Sequence, residues 1–358
     1  MNGLELHNDF SGANPRSPDR VRKNPDGSVT VLPDYEPETP PGYRFRLDVD
    51  LKNRGADVDE ALLRVLWDDA RYMGLRRRIF IRRKGGEGFS PVAAAPGGDG
   101  TEVLFRFPVP PGTTEVALLP RYGRDDLQAL VSFCRGFSGF SLQEFSMEHG
   151  PLGVLCFRSG GPRPAILVFG RIHPYETAGS FCADAIARAV CSDALFRQSV
   201  LSRFDLLVIP VMTPAGVHLG FCRRNGAPGG GIDLARQWEH KDPVCRAVAE
   251  LADRQPIAGV LDVHNWMHQE TDGIKFVNRW TAARFRAGLE GAAGKGRRFS
   301  GIFRRGLFAH RPGGVAGYLQ GRGAFCLMTE YPWAGRDENE MAELGRRSLL
   351  SFCRLLKG

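Results

Sequence analysis

Two histidines and a glutamate, His173, Glu176 and His264, have the residue types and the spacing of a metal site. His173 and Glu176 stand three apart in RIHPYE, directly after the apolar run AILVFG (165–170), and His264 closes a second run, AGVLDVH (258–264). Imidazole nitrogen and carboxylate oxygen are the donors that catalytic zinc takes, with three protein ligands and a fourth position open. Zinc so held lowers the pKa of bound water towards ~7 and polarises a carbonyl, which is the chemistry of hydrolysis. Such water also needs a carboxylate that accepts its proton and passes it to a leaving amine. Glu330, at the end of the apolar run AFCLMT, is the candidate, because an acid without a partner is costly to bury there.

A glycine-rich stretch, TPAGVHLGFCRRNGAPGGGIDLARQWE (213–239), supplies arginines. Glycines let a loop pass close to a ligand, and the planar forks of Arg223, Arg224 and Arg236 suit a carboxylate or a developing oxyanion. Arginines beside a hydrolytic metal imply a substrate with a carboxylate near the scissile bond. Each residue alone admits an ordinary reading. Glu176 would suit the first turn of any helix, His264 any buried hydrogen-bonded position, and Arg236 a cation–π contact with the nearby Trp238. Asp262, two residues before His264 on a strand, shares its face and either braces the imidazole or is simply solvated or ion-paired.

The elements that must position these groups are legible in the hydropathy pattern. Apolar runs at 165–170, 205–212 and 258–264 alternate with helical stretches at 176–191, 242–254 and 338–356, which predicts an α/β catalytic domain over 151–358. Its mostly parallel or mixed sheet would carry helices on both faces, with ligands at the carboxyl ends of the strands. Before it, short alternating segments with Gly, Pro and Asp turns predict a small antiparallel β-sandwich over 43–122. Residues 1–42, rich in Pro, Asp, Asn and Gly, read as an extended arm, and 123–150 as a linker with a connecting helix.

Composition narrows the function. The 358 residues carry 48 Lys+Arg against 40 Asp+Glu, a formal charge of +8, within an ordinary globular composition. The basic residues are dispersed, and the one dense cluster, RYMGLRRRIFIRRK (71–84), alternates with apolar residues as a half-solvated strand does, so nucleic acid is not expected as a partner. No apolar run is long enough for a membrane span and the first 22 residues lack the core of a signal peptide, which gives a cytoplasmic expectation. The eight cysteines are scattered without a CxxC pair and read as reduced core thiols.

In order and at similar spacing, HPYE (173–176), GFCRRN (220–225), DLAR with QW (233–238), LDVH (261–264) and Glu330 in LMTEYPW resemble the zinc carboxypeptidases of the carboxypeptidase A type. The leading sandwich and PRYGRDDL (120–127) are most similar to the cytosolic carboxypeptidase branch, and the resemblance covers roughly 43–356. It implies one Zn²⁺ on His173, Glu176 and His264, Glu330 as general base, Arg223 at the oxyanion and Arg236 on the substrate's terminal carboxylate. The family's DLNR is DLAR here, so Ala235 removes one hydrogen bond to that carboxylate, which Asn225 could supply instead. Thr213-Pro214-Ala215-Gly216 replaces the usual Asn-Pro-Asp-Gly, and the substrate-capping tyrosine has no clear counterpart, Tyr318 lying too near Glu330 in sequence and His310 nearer the expected place.

The expected activity is zinc-dependent hydrolysis of C-terminal peptide or isopeptide bonds on peptide or protein C-termini, with the basic balance favouring acidic terminal residues. Two rivals stand beside it. A zinc amidohydrolase acting on small N-acyl amino acids, of the aspartoacylase and succinylglutamate desuccinylase kind, shares the metal set, and a non-catalytic module that binds carboxylated ligands would explain Ala235. Oligomeric state is left open by the sequence.

Overall fold

The structure, a computed structural model, describes residues 4–37, 39–40, 44, 46–69, 76–95, 101–227, 231–265, 270–290, 299–301 and 313–356, and element counts refer to those residues. The chain divides into two compact units, one made of Met1–Arg121 with Gly216–Arg223, the other of Tyr122–Ala215 with Arg224–Gly358.

Alternating apolar and polar residues make the first unit a β-structure. Its strands are β1 (Leu4–His7), β2 (Val21–Lys23), β3 (Val29–Val31), β4 (Asp48–Asn53), β5 (Asp59–Leu66), β6 (Arg78–Arg83), β7 (Ser90–Ala93), β8 (Glu102–Val109) and β9 (Gly112–Ala117). They form a five-stranded sheet in the order β1-β4-β9-β6-β7 and a four-stranded sheet in the order β2-β3-β5-β8. Pairing is antiparallel apart from β3 with β5. Leu4 and Leu51 of one sheet and Val29, Ala61 and Leu63 of the other line a common interior, as expected for a sandwich.

The stretch expected as an extended arm differs in the structure, because β1, β2 and β3 lie within it and pair into the two sheets. These strands are three or four residues long, too short to show a period. Side chains satisfy the backbone between them: Asn14 Nδ2 donates to the Asp34 carbonyl at 2.7 Å, and Asp34 Oδ2 accepts the Arg16 N–H at 2.8 Å. The return of 216–223 to this unit has no counterpart in the sequence reading either.

The second unit holds an eight-stranded mixed sheet. Its strands are β10 (Phe140–Phe145), β11 (Leu152–Phe157), β12 (Ala165–Gly170), β13 (Asp205–Ile209), β14 (Ile257–His264), β15 (Asp272–Lys275), β16 (Phe299–Gly301) and β17 (Phe325–Glu330), ordered β10-β11-β13-β12-β14-β17-β15-β16. The four central strands β13, β12, β14 and β17 are parallel, so their carboxyl ends share one edge of the sheet. Helices α1 (Arg124–Cys134), α2 (Thr177–Ser192), α3 (Ala194–Leu201), α4 (Pro243–Arg254), α5 (Arg279–Ala287), α6 (Gly314–Gly321) and α7 (Glu338–Leu355) flank it. None of the described helices is long and apolar enough to cross a membrane.

Strand alternation sends side chains to both faces. On one face Leu167, Phe169, Leu207, Ile209 and Val260 form a core with Val244, Val248 and Leu251 of α4 and Val315 and Leu319 of α6. On the other, α2 and α7 lie so close that the sheet must present glycines. A Cβ on Gly259 would meet the Phe352 ring of α7 at 2.8 Å, one on Gly170 would fall 2.3 Å from the Gly179 backbone, and one on Gly179 would fall 2.4 Å from the Val263 carbonyl oxygen. Contacts that short exclude any side chain. Gly170 and Gly179 therefore seat the start of α2 directly on the ends of β12 and β14.

Candidate functional site

That seating brings Glu176, the residue preceding α2, against the end of β14. The turn that leads to it, Arg171 to Glu176, begins with a residue in the left-handed region, Arg171 at φ 56°, a conformation that costs a non-glycine residue roughly 1–2 kcal/mol. Its own side chain offsets the cost. The buried guanidinium donates from Nε to the Pro174 carbonyl at 2.8 Å and from Nη1 to the Tyr122 carbonyl at 2.5 Å, while the Arg171 carbonyl accepts the Thr213 hydroxyl at 2.7 Å.

The turn places His173 and Glu176 beside His264, all three buried, with one donor atom from each within 4.8 Å of the others. His173 Nδ1 lies 2.7 Å from Glu176 Oε1, and His264 Nδ1 lies 2.8 Å from Glu176 Oε2. The two rings meet edge to face with centroids 4.9 Å apart. Each imidazole turns its other nitrogen to an aspartate: His173 Nε2 stands 3.2 Å from Asp233 Oδ1, and His264 Nε2 stands 3.1 and 3.2 Å from the oxygens of Asp262. A carboxylate behind each ring holds Nε2 and turns Nδ1 towards Glu176, the arrangement that orients histidine ligands around a metal. Two inward imidazoles and a carboxylate in a buried cradle are chemically a fit for a metal ion.

The electrostatics agree with that geometry. Burial opposes the charged form of Glu176, yet His173 and His264 beside it hold its carboxyl well below the usual range. Burial likewise opposes the imidazolium of His264, yet Asp262 and Glu176 hold its pKa well above the ordinary histidine value.

Glu330 ends β17 directly beside His264, to which it is paired in register across the parallel strands. Its carboxylate is buried and accepts a hydrogen bond from Lys275 Nζ at 2.8 Å, from the antiparallel neighbour β15. The segment after Glu330 is anchored twice. Arg336 forms a bidentate pair with Asp272 of β15, at 2.5 and 2.7 Å, both side chains fully buried, and Trp333 Nε1 donates to Thr177 Oγ1 at 3.1 Å.

The arginine loop is only partly as the sequence reading has it. Arg236 Nη1 donates to Asp233 Oδ2 at 2.7 Å, so one aspartate joins the His173 imidazole to this guanidinium, which is otherwise 58% exposed. Trp238 stacks on Tyr318 at 3.7 Å between centroids, which commits Tyr318 to packing. Asn225, expected near the substrate carboxylate, uses both ends of its buried amide inside the loop. Its Nδ2 donates to Asp242 Oδ2 at 2.7 Å, and its Oδ1 accepts the Ile232 N–H at 2.9 Å. Arg224 donates to the Gly231 carbonyl. Arg223 lies in the 216–223 segment of the first unit, where it is buried and where its backbone N–H and that of Cys222 donate to the Glu36 carboxylate at 2.5 and 2.9 Å. His310 lies outside the described residues.

Four features escaped the sequence reading. Gly170 and Gly179 were open to it, since a glycine ending one apolar run and another opening the next helix signal close approach. Lys275, and the Asp272–Arg336 pair, depend on the antiparallel register of β15 with β17, which no local pattern encodes.

No known family model matches the chain. A segment of 86 residues, 24% of the chain, is 30% identical to cytosolic carboxypeptidase 6 of Mus musculus, and it spans 15% of that protein's length. Among solved structures, a metallo-carboxypeptidase from Burkholderia cenocepacia superposes with a TM-score of 0.77 at 15% identity, covering 98% of each chain. A metallo-carboxypeptidase from Pseudomonas aeruginosa, in complex with (2-guanidinoethylmercapto)succinic acid, gives 0.78 at 17% identity, again over 98% of each chain. At these identities the likeness is one of fold.

Proposed function

From the metallo-carboxypeptidase fold that this chain has over nearly its whole length, we propose that it is a zinc-dependent metallocarboxypeptidase that removes C-terminal residues by hydrolysis of peptide or isopeptide bonds. The observation that carries the proposal is the His173–Glu176–His264 cluster, with both Nδ1 atoms turned inward, both Nε2 atoms on aspartates, and Glu330 in register beside His264. Zinc bound there supplies Lewis acidity that activates water and polarises a carbonyl oxygen.

The chain's own residues do the rest. His173, Glu176 and His264 hold the ion, and Asp233 and Asp262 keep the imidazoles aimed. The Glu330 carboxylate takes the proton of the attacking water and delivers it to the leaving amine nitrogen, while Lys275 fixes the direction of that carboxylate. Arg223 takes the oxyanion role that the resemblance gives it, Arg236 reads the terminal carboxylate, and Asn225 braces the loop before Arg236. The excess of arginine favours acidic C-terminal residues as substrates.

Mass spectrometry of a mixed peptide library incubated with zinc-loaded protein, beside Glu330→Gln, tests the reading. Shortening from the C-terminus in the wild type alone supports it and reveals the residue preference. No shortening above the Glu330→Gln control sinks it. Ala235 favours a second reading, hydrolysis of small N-acyl amino acids, because it takes away a hydrogen bond to a peptide's terminal carboxylate. The same incubation with N-acyl amino acids decides between the two.

A further inference from the structure

We propose that Glu36, in the stretch expected as an extended arm, is a positioning residue for Arg223, which makes the first unit a working part of the hydrolase. The inference rests on the oxyanion role given to Arg223 above. Within the first unit the buried Glu36 carboxylate accepts the N–H of Cys222 on Oε2 at 2.9 Å and the N–H of Arg223 on Oε1 at 2.5 Å. The partners stand 186 and 187 residues apart, so no local turn accounts for the contact. Two successive N–H groups aimed at one anion make a concave donor pair, and hydrogen bonds to a charged acceptor are the strong ones. Both peptide planes flanking Cys222 are thereby fixed, and with them the Cα from which the Arg223 side chain starts.

Further contacts of the same unit hold the residues just before Arg223. Asn14 Nδ2 donates to the Gly220 carbonyl at 3.0 Å as well as to that of Asp34, and Asn14 Oδ1 accepts the Asp34 N–H at 3.0 Å, which ties Gly220 to the stretch that carries Glu36. The Gly12 N–H donates to the His218 carbonyl at 2.8 Å. Gly220 adopts φ 69°, and a Cβ on it would fall 2.3 Å from the Ala13 carbonyl oxygen, so the two backbones lie in direct contact. Residues 12–14 are in turn fastened to β4 and the residues before it. Asn14 and Asp48 exchange both backbone hydrogen bonds, at 2.8 and 2.9 Å, and Arg46 Nη2 donates to the Gly12 carbonyl at 2.8 Å. Segment 218–223 is thus gripped at His218, Gly220, Cys222 and Arg223 by residues anchored in a sheet. A donor that must meet charge only as it develops gains most from being placed in advance, and this grip does that for Arg223.

The test is steady-state kinetics on a peptide that the zinc-loaded wild type shortens, run on Glu36→Gln, Arg223→Ala and the double variant, with the zinc content of each. Glu36→Gln keeps the size of the side chain but sets an amide NH₂ against one of the two N–H donors. The expected result is a kcat about 10- to 100-fold lower at nearly unchanged KM and full zinc. Added to Arg223→Ala, the same substitution should cost nothing more, because a residue that acts through Arg223 then has nothing to position. A Glu36→Gln variant as fast as wild type would overturn the proposal, and so would an equal loss in the Arg223→Ala background, which is what a merely structural role gives. Wild-type protein that shortens no peptide is a separate outcome: it overturns the carboxypeptidase reading and this role with it. Amide hydrogen exchange of the wild-type full chain, read residue by residue, decides the matter where a variant fails to fold. The Cys222 and Arg223 amides should be protected, and free exchange at both removes Glu36 as their acceptor.

Discussion

Lys275 and Glu330 form a half-buried ion pair across the antiparallel strands β15 and β17, the ammonium 2.8 Å from the carboxylate that ends its strand beside His264. A carboxylate that must take a proton from one direction and deliver it in another gains from a fixed orientation, and a single strong donor from a neighbouring strand provides it. Lys275→Met is therefore expected to lower kcat by about 10- to 100-fold with little change in KM, because a small misplacement of a reacting group is enough for such a loss. Lys275→Arg keeps the charge and should recover most of it. Steady-state kinetics on a trimmed peptide are the check: a Met variant as fast as wild type makes the pair incidental, and a raised KM at unchanged kcat moves Lys275 to substrate binding.

The metal centre can be tested without turnover. Glu176→Gln keeps the shape of the side chain but removes the charge of the carboxylate whose two oxygens face the two imidazoles, and stoichiometric zinc is expected to be lost on dialysis. Asp262→Asn removes the charge behind His264 and leaves all three ligands, so zinc should still bind, about 10- to 100-fold more weakly. Competition against a coloured chelator measures both. Equal zinc affinity in wild type and Glu176→Gln would remove the metal assignment.

Gly179 makes a sharper structural prediction than any charged residue. A methyl group there would sit 2.4 Å from the Val263 carbonyl oxygen and 2.7 Å from Gly170 Cα, so α2 has to move off the sheet. Gly179→Ala should destabilise the second unit by about 1–3 kcal/mol, the usual cost of overpacking, and lower zinc occupancy along with it, since the same helix start carries Glu176. Thermal melts with zinc analysis of the purified variant are the check. A variant that melts like wild type and binds zinc fully would show that the close approach is not needed.

How far the sequence alone reaches follows from where each signal lies. β12, β14 and α4 are continuous apolar or amphipathic runs, and their positions in the chain, together with the strand-end chemistry after them, locate His173, Glu176, His264 and Glu330 before any coordinates. β10 carries mixed residues and β15 is only four residues long, so the antiparallel additions towards the two edges of the sheet were not visible, and with β15 went Lys275. The strands within 1–42 were hidden for a related reason, because each is only three or four residues long and β1 and β3 pair with partners distant in sequence, while side chains of Asn14 and Asp34 hold the segments between them. Asn225 illustrates a second limit. A polar residue between two arginine motifs suggests a ligand contact, but Asp242 at the start of α4 and the Ile232 N–H claim both ends of its amide. Residue type and spacing indicate which chemistry is available, whereas the direction of a side chain is decided by tertiary partners far away in sequence.

Arg336 and Asp272 form a fully buried bidentate pair that ties the segment after Glu330 to the strand bearing Lys275. Removing one partner leaves the other charge without compensation in the interior, so Asp272→Ala or Arg336→Ala is expected to cost about 3–5 kcal/mol. Replacing both by apolar residues of similar volume should cost far less, since the desolvation of two charges disappears with them. Urea melts of the two single variants and the Asp272→Leu/Arg336→Met double variant measure the difference. Kinetics add a separate readout: the double variant should fold well yet lose kcat, because β15 and the end of β17 are then free to shift and the Lys275–Glu330 pair loses its register. A double variant as unstable as either single one would assign the role to shape complementarity and not to charge.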